Sequence, residues 1–433
     1  MILQGDCLEV LKAVKDNTID GLVTDPPYGI AFMGKNWDFF NGEEYNGKNK
    51  FSEDEEYKKN FLMKNGNSSS AGMIEFFTPI WKEAYRVMKP GAFGFVCCIP
   101  RQDCLSRMMI SLEDAGFNIN FTSLYWTYAT GFPKALHIGK AIDKRLEKKR
   151  KVVGKNPRIA TSLTKTDGFL GCLVKDKTIA GQITAPASEE AKKMEGSYGG
   201  FQPKPAVEVI IVVMKPRSEP SYINQAMKDG KGVVWFDDCR IPYVDEQDEE
   251  SVRNSHNAER DYIRFNLEMK YQPDPKDIEN NQMKGRFPAN LLVSDDVLDD
   301  VSRFFSLDAW AEKNLPFLIV PKPSMRERQA GCLNLDSKKR PVHLGQLEAV
   351  YGIGELECKN NHPTVKPIEL MSYLITMGTR PGDVILDPFA GSFTTGCACY
   401  PLERKFVGIE KEEEYIKIGK ARLDYYKRLP LLF

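Results

Sequence analysis

Two short, mostly apolar runs at opposite ends of the chain each break off at an Asp-Pro pair. Residues 19–24 lead into Asp25-Pro26-Pro27-Tyr28, and residues 383–386 lead into Asp387-Pro388-Phe389-Ala390-Gly391-Ser392. Runs this short, with little polar alternation, fit strands buried on both faces of a parallel sheet. Strands of that kind need helices on both faces and crossover connections between neighbours, which restricts the chain to α/β architectures.

The flanking sequence agrees. Helical spacing over 8–14 precedes the first run; a helical stretch at 76–88 stops at Lys89-Pro90-Gly91 before a continuous apolar strand at 92–99, and a helix at 105–115 stops at Gly116 before strand-like residues 118–128. Near the C-terminus a helix at 368–377, the strand at 383–386, a glycine-rich turn, a helix at 394–399, a strand at 405–409 and a helix at 412–426 form a βαβ-type block. Between these blocks the alternation fades. Residues 206–214 form one clear strand, 151–205 read as loops, some mobile without a ligand, and 217–345 carry many charges without steady alternation. The expected layout is therefore one half of a domain at 1–216, an inserted region at 217–345 and the other half at 346–433.

Hydrophobic residues make up 42% and charged residues 28%, as in a soluble globular protein. No apolar run reaches the roughly 18 residues of a membrane helix, and Met1-Ile2-Leu3-Gln4-Gly5-Asp6 lacks the features of a secretion signal, so a cytoplasmic protein without a membrane partner is expected. The ten cysteines then read as reduced thiols. Only Cys358-x-x-x-His362 comes near metal-ligand spacing, and no metal is expected. With Lys plus Arg equal to Asp plus Glu at 60 each, there is no global positive field. Residues 144–158 are locally basic, and Lys148, Lys149, Arg150 and Lys151 can serve as phosphate contacts or simply as a solvated helix face.

The Asp25 segment lies at the carboxyl end of its strand, where open α/β sheets place ligands. Two prolines remove two N–H donors and leave a rigid, carbonyl-lined corner. An exocyclic amino group offers two hydrogens, which Asp25 and the Pro26 carbonyl can accept while Tyr28 stacks on the base. In the Asp387 segment, small residues permit close backbone approach ahead of a helix N-terminus, and Glu410 ends the following strand, a place where an acid commonly takes ribose hydroxyls.

Together these segments resemble the beta-class amino-methyltransferase family of site-specific DNA-modifying enzymes, in which the catalytic segment precedes the cofactor segment. The likeness rests on Gly5-Asp6, Asp25-Pro26-Pro27-Tyr28, Lys89-Pro90-Gly91, His362-Pro363-Thr364-Val365-Lys366-Pro367, the Asp387 segment and Glu410, in that order, and covers about 1–135 and 360–425. In the middle, Thr130-Gly131-Phe132-Pro133-Lys134, Gly285-Arg286-Phe287-Pro288-Ala289-Asn290 and Pro321-Lys322-Pro323-Ser324 look like segments of phage and prophage adenine methyltransferases.

The resemblance implies a Rossmann-like, S-adenosylmethionine-dependent methyltransferase fold, with 217–345 as target-recognition region and double-stranded DNA as partner. The implied reaction is methyl transfer to adenine N6 by base flipping, with Asp25, Pro26, Pro27 and Tyr28 catalytic and no covalent or metal step. Cytosine-N4 transfer and a silent DNA-binding protein are the alternatives. For the cofactor, Lys366 with Thr364 and Ser392 would hold the methionine carboxylate, Asp387 its amino group, Glu410 the ribose and Asp6 the adenine amino group. Phe389 would pack near the adenosine, with Cys7, Asp25, Gly391 and Thr394 completing the pocket. Asn254, Arg260, Arg264, Asn280, Asn281, Gln282 and Arg286 have the side-chain chemistry to read bases. Whether a homodimer forms or a cognate restriction endonuclease accompanies the chain is left open. One departure stands out: where the family has Gly after Ser392, this chain has Phe393, which is strained if the position requires positive φ and which would either line the pocket or pack behind it.

Overall fold

The computed structural model describes residues 1–29, 38, 40, 70, 72–128, 136–155, 182–199, 201, 206–250, 285–315, 325–341 and 355–428. The chain divides into two compact units: Met1–Ala129, Val207–Asn334 and His362–Phe433 form the first, and Thr130–Ala206 with Leu335–Asn361 the second.

The first unit is built on a sheet whose described strands are β1 (Ile2–Gln4), β2 (Gly21–Thr24), β3 (Phe93–Cys98), β4 (Leu124–Thr127), β5 (Val207–Met214), β6 (Leu291–Val293), β7 (Val384–Asp387) and β8 (Lys405–Glu410). Across the sheet they run β1-β8-β7-β2-β3-β5-β4-β6. Only β5 pairs antiparallel with its neighbours; every other pairing is parallel. All four residues of β2 and all six of β3 are buried, as their unbroken apolar sequences require.

Alternate residues of the strands feed two cores. Leu22, Val96, Val209 and Leu386 pack with the helices Cys7–Lys12, Met73–Val87 and Gln102–Asp114; Val23, Phe95, Ile210 and Ile385 pack on the other face with Leu307–Asn314, Ile368–Gly378 and Thr394–Cys399. Helix Met73–Val87 turns Met73, Phe77, Ile80, Trp81, Ala84 and Val87 inward, one face at helical spacing, and Lys89-Pro90 follow its end. Helix Ile368–Gly378 is buried on every side, which explains its near absence of charge.

The compact units do not follow the layout read from the sequence. The described part of 217–334 joins the first unit: β6 extends the sheet beside β4, and helix Leu307–Asn314 packs on Ile368–Gly378. Short apolar stretches such as 291–293 carry no sign that they belong to a sheet begun at Ile2, because pairing there is entirely non-local.

In the second unit, where loops were expected, residues Lys151–Lys155 and Gln182–Ala185 form an antiparallel, bulged pair. Helices Ile138–Arg145 and Glu189–Lys193 pack nearby. Asp143 is the hub of this unit, accepting hydrogen bonds from Ala187 N, from Ser188 N and Oγ, and from the Arg150 guanidinium. Its carboxyl is held at about 2: burial opposes ionisation, but these donors outweigh it. Among the described residues no helix is long and apolar enough to cross a membrane.

Candidate active site

Strand direction brings the chemistry to one edge. β1, β8, β7 and β2 are parallel neighbours in that order, so Asp6, Glu410, Asp387 and Asp25 leave the same edge in sequence across the sheet. With strands about 4.8 Å apart, four carboxylates stand within a space one nucleoside-sized ligand can cover. The tips of β2 and β7 are tied directly: Thr24 Oγ1 donates to Asp387 Oδ1 at 2.7 Å in the buried interior. Tyr28 and Gly391 thus issue from linked strand tips.

At the β2 tip, Tyr28 Oη donates to Asp25 Oδ1 at 2.6 Å and lies 3.1 Å from Glu208 Oε2. Lys366 Nζ donates to Asp25 Oδ2 at 2.7 Å, lies 3.2 Å from Glu208 Oε2, and sits 5.2 Å from the centroid of the Tyr28 ring. Burial alone would depress the Lys366 ammonium, but Asp25 and Glu208 overcome it and hold its pKa above the ordinary value. Burial, then the charges of Asp25 and Glu208, push the Tyr28 phenol well above its usual value, so the hydroxyl stays protonated and donates. Tyr128 is raised to about 12 by burial and by Glu208. Lys366, expected on the cofactor carboxylate, is paired with Asp25 in this structure.

The β7 turn is held from within. Asp387, 2% exposed, accepts from Thr24 Oγ1 and Phe389 N at Oδ1 and from Thr395 Oγ1 at Oδ2. Burial lifts its carboxyl to about 6 against those donors. The fully buried Arg422 donates to Ser392 O, Ser392 Oγ and Thr394 Oγ1. Asp387, Ser392 and Thr394, expected to face a ligand, are held here by hydrogen bonds within the turn and from its neighbours. Cys7 is likewise buried in the core, its thiol pushed up to about 12 by burial and Asp6. Thr364 is half-buried beside Lys366 in the chain.

Phe393 adopts φ 61° and ψ 38° and is fully buried. Its ring lies 6.0 Å from that of Phe406, and a Cβ at Gly419 would meet it at 2.3 Å, so it packs behind the turn and does not line the edge. Gly391 is also left-handed, and an added Cβ would meet His362 Nε2 at 2.6 Å. Phe389, half-buried, lies edge-on to Phe77 and Trp81, each at 5.8 Å.

The outer two acids suit a ligand rich in donors. Glu410 accepts Gly391 N at Oε2 and Glu412 N at Oε1, leaving a second lone pair on each oxygen for a diol. Burial raises its carboxyl, opposed by those two N–H groups. Asp6 is exposed and its Oδ1 caps helix Cys7–Lys12 through Leu8 N at 3.0 Å. Two acceptor-only carboxylates on adjacent strand tips, beside the half-buried Phe389, fit the ribose and adenine of an adenosyl cofactor.

The expected nucleic-acid contacts divide. Lys148, Lys149 and Lys151 are exposed on the second unit. Arg150 is not: its guanidinium binds Asp143, Glu195 and the Thr184 hydroxyl and carbonyl. Arg286 is 7% exposed, paired with Asp248 and stacked against Tyr243 and Phe304. Both guanidinium groups, expected on DNA, are engaged by partners within the protein here. Thr130–Lys134 and Pro321–Ser324, with Asn254, Arg260, Arg264, Asn280, Asn281 and Gln282, lie outside the described residues.

Sequence reasoning passed over Glu208, Thr24, Thr395 and Arg422. Glu208 had a signal, being the lone charge in Val207–Met214, but its place at this edge depends on β5 running against its neighbours.

A family model described as DNA methylase matches residues 19–421. Over 64 residues, 15% of this chain and 22% of the relative, the chain is 56% identical to the DNA adenine methyltransferase YhdJ of Escherichia coli. Over 98 residues, 23% of this chain and 34% of the relative, it is 41% identical to the type II methyltransferase M2.MboI of Moraxella bovis. The matched stretches thus span between about a fifth and a third of these curated relatives. Among solved structures, the cytosine-N4-specific PvuII DNA methyltransferase aligns over 99% of this chain and 91% of its own at 14% identity, with a TM-score of 0.44.

Proposed function

The chain belongs to the DNA methylase family, and from that premise we propose that it methylates the N6 amino group of adenine in duplex DNA, using S-adenosylmethionine. The observation that carries the reading is the arrangement of Asp25 and Tyr28 on a strand tip tied by Thr24 and Asp387 to the glycine turn and Glu410. The name of one relative, a DNA adenine methyltransferase, supports the choice of base.

S-adenosylmethionine supplies an electrophilic methyl on a sulfonium when bound. Glu410 accepts the ribose hydroxyls, Asp6 the adenine amino group, and Phe389 packs against the adenosine. Asp25 and the Pro26 carbonyl accept the two hydrogens of the target amino group, raising electron density on nitrogen and aiming it at the donor. Tyr28 offers its ring to the extruded base. Pro26 and Pro27 fix the corner, so alignment requires little reorganisation. The proton released from nitrogen passes to the Asp25 carboxylate or to water. Exposed Lys148, Lys149 and Lys151 contribute phosphate contacts, and the 217–345 region contributes target recognition.

Tritium transfer from labelled S-adenosylmethionine to unmethylated duplex DNA tests the reading. Incorporation by the wild-type chain and none by Asp25→Ala is expected; equal incorporation by both overturns it.

A further inference from the structure

Both oxygens of Asp25 already hold a donor before any substrate arrives. Its Oδ1 receives Tyr28 Oη and its Oδ2 receives Lys366 Nζ, so donors already sit where the target amino group must bind. The ammonium, 5.2 Å from the Tyr28 ring centroid, lies over the ring that the proposed reaction gives to the base. A base stacked on that ring displaces the ammonium, and with it one of the two donors on Asp25.

Glu208 is placed to receive both. A phenol has one proton to donate, and the Tyr28 hydroxyl has two carboxylates in reach, Asp25 at 2.6 Å and Glu208 at 3.1 Å. The Lys366 ammonium has Glu208 at 3.2 Å as a second counter-ion. A buried ammonium that left Asp25 with no other carboxylate would carry the penalty of an unpaired buried charge. With Glu208 beside it, the cation never lacks a partner. The strand that carries Glu208 runs opposite to β3 and β4, which brings the second residue of β5 to the edge where the other strands end.

We propose that Glu208 is a positioning residue for methyl transfer: it takes over Lys366 Nζ and Tyr28 Oη as Asp25 turns to the target amino group. This rests on the methyl-transfer reading above. Glu208 touches neither the base nor the cofactor; it acts by freeing Asp25.

The test uses the full chain, labelled S-adenosylmethionine and unmethylated plasmid DNA, comparing single-turnover rates with cofactor affinity from fluorescence titration and with melting temperature. Glu208→Gln, which keeps the shape but not the charge, is expected to slow transfer roughly 10-fold, and Glu208→Ala roughly 100-fold, with cofactor affinity within about 2-fold of wild type. Because Tyr28 Oη is one of the two donors handed over, the loss from Glu208→Gln should shrink by about 3-fold or more in a Tyr28→Phe background. A merely structural Glu208 would lower rate, affinity and melting temperature together and act additively with Tyr28→Phe; that result overturns the proposal, as does an unchanged rate in Glu208→Gln. An active wild type with an indifferent Glu208→Gln sinks this inference alone, whereas an inactive wild type sinks the methyl-transfer reading and this inference with it.

Discussion

Replacing Asp387 by asparagine separates two roles for one side chain. Burial lifts the Asp387 carboxyl from 3.8 to about 6, against hydrogen bonds from Thr395, Thr24 and Phe389 N. A raised folded value means that the folded state holds the proton more tightly. The associated stability is complete below pH 3.8 and is lost as pH rises through about 6. At roughly 1.4 kcal/mol per pH unit, the whole effect is about 3 kcal/mol, of which about half falls between pH 5 and pH 8. Asp387→Asn stays neutral across that range, so relative to wild type its melting temperature should rise by about 2 °C on going from pH 5 to pH 8. Other titrating groups are common to both proteins and cancel in the difference. Thermal unfolding by circular dichroism at the two pH values reads the shift, and a cofactor titration on the same samples should give affinities within about threefold of each other. If Asp387 instead grips the cofactor ammonium, as the family resemblance implies, the variant will lose roughly 10- to 100-fold in affinity with no pH-dependent gain in stability, and the account of an inward-facing brace fails.

Phe393→Gly relieves a left-handed backbone worth about 1 kcal/mol but removes a fully buried ring, so a net loss of about 2–4 kcal/mol is expected; Phe393→Ala keeps the strain and should be the less stable of the two, inverting the usual Ala over Gly order in denaturant unfolding. Glu369 is buried beside Glu327 and its carboxyl is raised by burial and then by that neighbour, so its folded form is protonated and the associated stability is lost as pH rises from the ordinary carboxylate range through the raised value. Glu369→Gln should therefore gain melting temperature over wild type at pH 9 and little at pH 5. Glu410→Ala should weaken cofactor binding by about 10-fold or more in a fluorescence titration, because both the ribose acceptor and the brace on Gly391 are lost.

Much of the sheet was legible because its strands are short, apolar and cut off by proline or glycine. Burial on both faces leaves its mark in unbroken apolar runs at 93–98 and 209–214, and the Asp-Pro pairs mark where two of the central strands end. Which acids face outward was not legible. Asp387 and Asp25 follow equivalent strands and precede proline, yet one is locked by Thr24 and Thr395 while the other meets Lys366 and Tyr28. Two of those contacts, Thr24 with Asp387 and Lys366 with Asp25, join side chains 363 and 341 residues apart. The arginines were not legible either: Arg150 and Arg286 look like surface cations in sequence, and the fold turns Asp143 and Asp248 onto them. Phe393 was the exception, since its place in a glycine-type turn announced the strain before the structure located its ring.

Nucleoside mass spectrometry on DNA incubated with the chain and S-adenosylmethionine bears most directly on the claim that the Asp25 corner presents an adenine amino group to a methyl donor held at the neighbouring strand tips. N6-methyldeoxyadenosine should accumulate with the wild-type chain and vanish with Asp25→Ala, while that variant still binds the cofactor. N4-methyldeoxycytidine in its place, or methylated adenine from the Asp25→Ala protein, would contradict it.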